Sequence, residues 1–220
     1  MYITLIFLGL IMATIITWLL RQTFNTQPWV TEAADDAVSG TSLDTNTKAV
    51  ALTVFLAVAT SVFALFISAY TIRMEAPDWR PIAEPTLLWA NTVILVLASV
   101  AYHWTRNAAV KGIESRVRPG LTVSGALTVL FLLGQLVAWR QLNAAGYYLD
   151  LNPANAFFYL LTAVHGLHML GGLWVWARST MKVWTGADSD SVRLSIELCT
   201  VYWHFLLLVW IVLFGMLLST

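Results

Sequence analysis

Cysteine is nearly absent from this 220-residue sequence: Cys199 stands alone, inside an apolar run. That excludes an internal disulfide and a thiolate-held metal cluster. Charge is scarce too. Asp, Glu, Lys and Arg make up 11% of the residues, less than half of the ~25% usual in soluble domains. The 12 basic and 12 acidic residues balance, so nothing in the charge points to nucleic acid. All six prolines (Pro28, Pro77, Pro81, Pro85, Pro119 and Pro153) fall between the apolar runs. The helices are therefore expected to be continuous, unlike the broken helices that build midplane sites in many secondary transporters. There is no Gly-rich phosphate loop and no Ser/His/Asp or Cys/His nucleophile arrangement with a supporting base. The N-terminus lacks a basic start and its apolar run is long enough to span, so no cleavable signal peptide is expected.

Hydrophobic residues are what the sequence has in excess, at 59%. They gather into six runs, at about 2–20, 49–72, 87–105, 121–139, 157–177 and 198–218. Each approaches or exceeds the ~20 residues that a helix needs to cross ~30 Å of hydrocarbon. The expected fold is all-α, a polytopic membrane helix bundle of six transmembrane helices. Residues 1–20 form an N-terminal transmembrane helix, 21–48 a flexible cytoplasmic linker rich in Gly, Ser, Thr and Asp, and 49–220 a five-helix bundle. Arg21, Lys48, Arg106, Lys111, Arg116, Arg118, Arg178, Lys182 and Arg193 lie in or near connections on one side, against Arg73, Arg80 and Arg140 on the other. The richer side is cytoplasmic by the positive-inside rule, which sets both termini on the outer face of the inner (cytoplasmic) membrane. Trp18, Trp79, Trp89, Trp104, Trp139, Trp176 and Trp203 sit near span ends. They are expected to form an interfacial belt in which each indole N–H stays wet.

Few polar groups enter the spans. The run Phe157–Trp176, FFYLLTAVHGLHMLGGLWVW, contains no acid, Lys, Arg or Pro, yet holds His165 and His168. Positions 165, 168 and 172 share one helix face, and such a stripe is expected to meet other helices or a cofactor, not lipid. In the last run Glu197 and His204 are two turns apart on one face, with Glu197 expected at the cytoplasmic interface. As sequence neighbours, these two spans allow His165 or His168 to lie near His204 or Glu197. Three readings follow. The histidines and Tyr202 are interhelical hydrogen-bonding groups that fix packing, or His165 and His204 are axial ligands of a haem, or the ionisable groups line a proton or ion path.

The same residues resemble the subunit III family of haem–copper terminal oxidases. FFYLLTAVHGLHMLGG is similar to that family's FF-x-LTG-x-HG-x-H-xxxG pattern, and Glu197–Trp210 to its E…YWHFVDVVW. Ala69–Arg73 (AYTIR), Asn91-Thr92 and Gly134-Gln135-Leu136 match further motifs on the expected spans, so the resemblance covers residues 50 to 218. It implies a five-helix core preceded here by one extra helix, in an accessory subunit without an active site of its own. It further implies that this chain binds no cofactor, that haem and copper reside in partner subunits I and II, and that phospholipid is held in a cleft. His165, His168, Glu197, His204, Tyr202, Arg73 and Asn91 become structural, lipid-contacting or proton-antenna residues. The other classes are a relative recruited to a nitric oxide reductase or a respiratory supercomplex, and a bis-histidine haem protein moving electrons. Two departures bear on mechanism: the family's Ser-Glu pair falls on Val58-Ala59, which removes its buried glutamate, and its HFVD aspartate is Leu207.

Overall fold

The computed structural model describes residues 41–82, 85–186 and 189–219, with residue 17 standing alone before them. The expected helix over 2–20 and most of the expected linker lie outside these residues. Among the described residues are five helices: α1 (Thr41–Arg73), α2 (Leu87–Val110), α3 (Glu114–Ala144), α4 (Pro153–Trp184) and α5 (Ser189–Leu218). Each contains a stretch long and apolar enough to cross a membrane. The chain is an integral membrane protein built from helices.

The helices outrun the apolar runs that announced them, because a helix continues until its backbone is capped, not until its residues turn polar. α1 starts at Thr41, eight residues before the expected span, so the end of the expected linker is helical. α3 has 31 residues, about 46 Å at 1.5 Å per residue. Its early start corrects one expectation, since Pro119 lies inside α3 and not between helices. At the sixth helical position the proline gives up one backbone bond, to Ser115, close to the end where donors are unpaired anyway. α4 opens with Pro153 directly after Asn152, whose side-chain oxygen accepts from Ala154 N at 3.1 Å. α2 and α3 end at glycines with φ of 68° (Gly112) and 87° (Gly146), the left-handed geometry that only glycine takes without strain. Beyond them Ile113 N donates to Ala108 O and Tyr147 N to Leu142 O, both at 3.0 Å, which closes the last turns.

The chain divides within α1, between Ser61 and Val62. In the first unit, Thr60 and Ser61 donate their hydroxyls to Leu56 O (2.7 Å) and Ala57 O (3.0 Å) of their own helix. In the second, α2 to α5 form a ring in which α2 packs on α3 and α5, and α4 also packs on α3 and α5. The pairs run antiparallel: Thr92 meets Trp210 and Tyr102 meets Trp203 across α2 and α5, and Trp139 meets Thr162 across α3 and α4. Trp203, Trp210, Tyr102, Phe131, Phe158 and Met169 fill the interior. Phe63 and Tyr70, in the later part of α1, lie against His165 and Phe157 of α4.

Candidate functional site

Lipid and a helix interior are equally apolar, so hydrophobicity does little to hold membrane helices together. Close packing and interhelical hydrogen bonds do that work, and small residues allow the approach. The ring is assembled in this way. A β-carbon on Gly120 would overlap Thr105, one on Gly125 the Trp176 indole, one on Gly134 the Asn91 amide, and one on Gly172 the Tyr202 ring. Each of these glycines is a socket for one side chain of a neighbouring helix. Between the sockets lie buried hydroxyls that bond within their own helix: Thr105 to Ala101 O (2.7 Å), Thr128 to Ser124 O (2.9 Å) and Thr200 to Ile196 O (2.8 Å). They place polarity inside without leaving it unpaired.

The histidines divide between two places. His165 is 1% exposed and lies among the rings of Phe63, Phe131 and Trp210, with centroids 5.3 Å away for Trp210 and 6.1 Å for Phe131. Neither of its ring nitrogens has a hydrogen-bond partner among the described residues, and the same holds for the amide groups of Asn91 and Gln135. His168 donates from Nδ1 to Val164 O at 2.8 Å and lies beside Phe63, while its own carbonyl accepts from the Tyr202 hydroxyl at 2.8 Å. His204 turns the other way. Its Nδ1 is 2.5 Å from Ser99 Oγ, and its ring centroid is 5.7 Å from that of His103, both on α2. His165 and His204 therefore do not face a common space, and their placement does not fit a haem held between them.

Arg73 and Glu197 are both ion-paired. Arg73 grips Asp78 with a two-pronged bond, Nη1 to Oδ1 at 2.7 Å and Nη2 to Oδ2 at 2.5 Å. Asp78 is held below the usual carboxylate range by that bond. Glu197 accepts from Arg193 Nε at 3.3 Å on its own helix. Among the described residues its partner is Arg193 and not His165 or His168. The expected tryptophan belt needs correction. Trp203 is 1% exposed and stacked on Tyr102, Trp139 donates to Thr162 Oγ1 at 3.0 Å, and Trp176 donates to Leu121 O at 2.9 Å. The Trp139 and Trp176 indoles find their partners between helices and not in water, and Trp203 is buried by stacking; Trp89 and Trp104 do stand exposed.

Sequence reasoning had Gly134, Gln135 and Gly172 only as motif or face positions, and missed Gly120, Gly125 and Ser99. The glycines carried a signal, since an unforced glycine within a helix costs about 1 kcal/mol against alanine and so asks for a packing reason. Among the described residues, no group of three or more His, Cys, Asp or Glu is arranged to hold a metal ion.

This arrangement of helices and motifs has known relatives. The family model for cytochrome c oxidase subunit III matches residues 4–218. The chain belongs to that family. It is 31% identical over 170 residues to cytochrome c oxidase subunit 3 of Synechocystis, covering 73% of this chain and 70% of that protein. It is 32% identical over 157 residues to the probable cytochrome c oxidase subunit 3 of Mycobacterium leprae, 68% of this chain and 76% of the relative. A third relative is named cytochrome bo(3) ubiquinol oxidase subunit 3, from Pseudomonas aeruginosa, 27% identical over 155 residues, with 70% and 74% covered. As a subunit III, the chain is an accessory subunit of a respiratory terminal oxidase.

Proposed function

We propose that this subunit III stabilises its oxidase and retains phospholipid, and that it carries no proton relay or redox centre of its own. Haem, copper and the reduction of oxygen belong to subunits I and II, beside which this chain sits in the inner membrane with both termini outward. The supporting observation is the state of its intramembrane polar groups. The buried Thr105, Thr128 and Thr200 hydroxyls close onto their own helices, Glu197 pairs with Arg193, and no Asp or Glu occurs from residue 45 to 74. Where the family has carboxylates this chain has Ala59 and Leu207, neither of which can carry a proton. An interior without an ionised carboxylate avoids a burial cost of at least ~2.5 kcal/mol at mid-membrane. His165, His168, Tyr202 and Asn91 then act as packing groups, and Arg73 and Glu197 as charges at the membrane surfaces.

The test uses the full chain, affinity-tagged in its native membrane. Subunits I and II should co-purify with it, and Glu197→Gln should leave proton uptake and turnover of the assembled complex within about twofold. Co-purification with a different complex alone would overturn the oxidase assignment. A large loss of proton uptake in the variant, with assembly intact, would restore the relay.

A further inference from the structure

Two polar side chains stay without a partner deep inside the ring. Gln135 on α3 is 5% exposed and His165 on α4 is 1% exposed, yet no polar atom of either side chain has a hydrogen-bond partner among the described residues. Buried amides and imidazoles of folded proteins nearly always have one. The fold sets these two at one level. Phe131, Gln135 and Trp139 follow one another at single-turn spacing along one face of α3. Phe131 meets the His165 ring, with centroids 6.1 Å apart, and Trp139 donates to Thr162 Oγ1 at 3.0 Å. Gln135 therefore faces α4 between Thr162 and His165. Its side chain leans toward the N-terminus of α3, which is the side of Phe131 and His165. Thr162 already donates its proton to Phe158 O at 2.6 Å.

We propose that Gln135 and His165 hold a water molecule between α3 and α4, bonded to the amide of one and to a ring nitrogen of the other. The donor set selects the occupant. The amide both donates and accepts, and so does a neutral imidazole. A cation would need lone pairs only and an anion N–H groups only, and either would bring a charge into an apolar interior. No Asp, Glu, Lys or Arg lies within one turn of Gln135 or His165 along the chain to balance it. Water is small and neutral, donates and accepts, and is the usual partner of such buried groups. There is room for it. At Gly166, next to His165, a β-carbon would have Leu132 of α3 at 4.0 Å and nothing nearer. At Gly125, on the same pair of helices, a β-carbon would overlap Trp176. The two helices thus stand apart where the polar pair lies and touch further along. Phe131, Leu161 and Trp210, none more than 1% exposed, wall the place in. The water is a fixed bridge between two helices and not a step in a path across the membrane.

The experiment uses the intact complex purified from native membranes. A density map that resolves ordered water should show one at hydrogen-bonding distance from both the Gln135 amide and a His165 nitrogen. A direct bond between Gln135 and His165, a lipid chain at that place, or no density between the two would overturn the proposal. Brief X-ray irradiation in heavy-oxygen water gives a second readout, because radicals form at bound water and mark the side chains that touch it. Trp210 and Phe131 should take up label although buried, whereas Phe158, 2% exposed and two turns away on α4, should stay at background. Gln135→Leu and His165→Phe roughly keep side-chain volume and leave the bundle folded. Both should bring Trp210 down to the level of Phe158. Equal labelling of Trp210 and Phe158 in the wild type, or Trp210 labelling that survives both variants, would sink the bridge. If a variant is lost from the complex, the wild-type map decides alone.

Discussion

The side chain of Asn91 occupies the space that a β-carbon would need on Gly134, which brings α2 against α3. The contact belongs to a set: Thr105 on Gly120 repeats it further along the same pair, and Trp176 on Gly125 joins α3 to α4. Helices that approach at glycines gain contacts between backbones, and that gain replaces the hydrophobic drive that lipid removes.

Gly134→Ala should therefore destabilise the bundle by about 1–3 kcal/mol, the usual range for overpacking a tight site. Gly171→Ala is the control, because a β-carbon there meets nothing within 4 Å. It should be neutral or slightly stabilising through helix propensity. Thermal unfolding in one detergent compares the two, and equal losses would remove the socket from the account.

His165 holds its place by shape, in a ring of aromatic side chains. His165→Phe keeps the ring and removes two polar nitrogens that have no partner among the described residues, so stability should hold or rise. His165→Ala leaves a cavity and should cost several kcal/mol, roughly 2–5 as for other large-to-small core changes. A loss in the Phe variant as large as in the Ala variant would mean that the nitrogens bond to something essential.

Trp176 offers two separable contributions, its indole N–H to Leu121 O and its ring on Gly125. Trp176→Phe loses the hydrogen bond and should cost about 0.5–1.5 kcal/mol, more if the Leu121 carbonyl stays unpaired. Trp176→Ala loses both and should cost about 3–5 kcal/mol. Denaturant unfolding of the two variants measures the split.

Acid should loosen the segment after α1. Asp78 titrates below its ordinary value because Arg73 holds its carboxylate. A carboxylate depressed by folding adds stability above its unfolded pKa, about 3.9, and loses it as pH falls through the lower folded value. Hydrogen exchange of residues 74–82 should then quicken below about pH 4 in wild type, and Asp78→Asn should be already quick and flat across that range.

Much of this was legible in the chain itself. Scarce charge and runs of about 20 apolar residues dictate crossing helices, because the hydrocarbon thickness is a length that sequence can be counted against. The motifs around His165, Glu197 and Asn91 carried the family. The ends of the helices were less legible, since Gly112 and Asn152 stop and start them through backbone geometry and capping that hydropathy does not register. Which residue meets which was decided only in three dimensions. Periodicity placed His204 on a face with Glu197, yet the contacts run sideways, His204 to Ser99 and His103, and Glu197 to Arg193. Trp203 and Trp176 read as interfacial and stand between helices. In water, an amphipathic pattern says which face is inside. In a membrane both faces are apolar, so the choice of neighbour passes to side-chain shape, to glycines that admit it, and to the few polar groups that must find a partner.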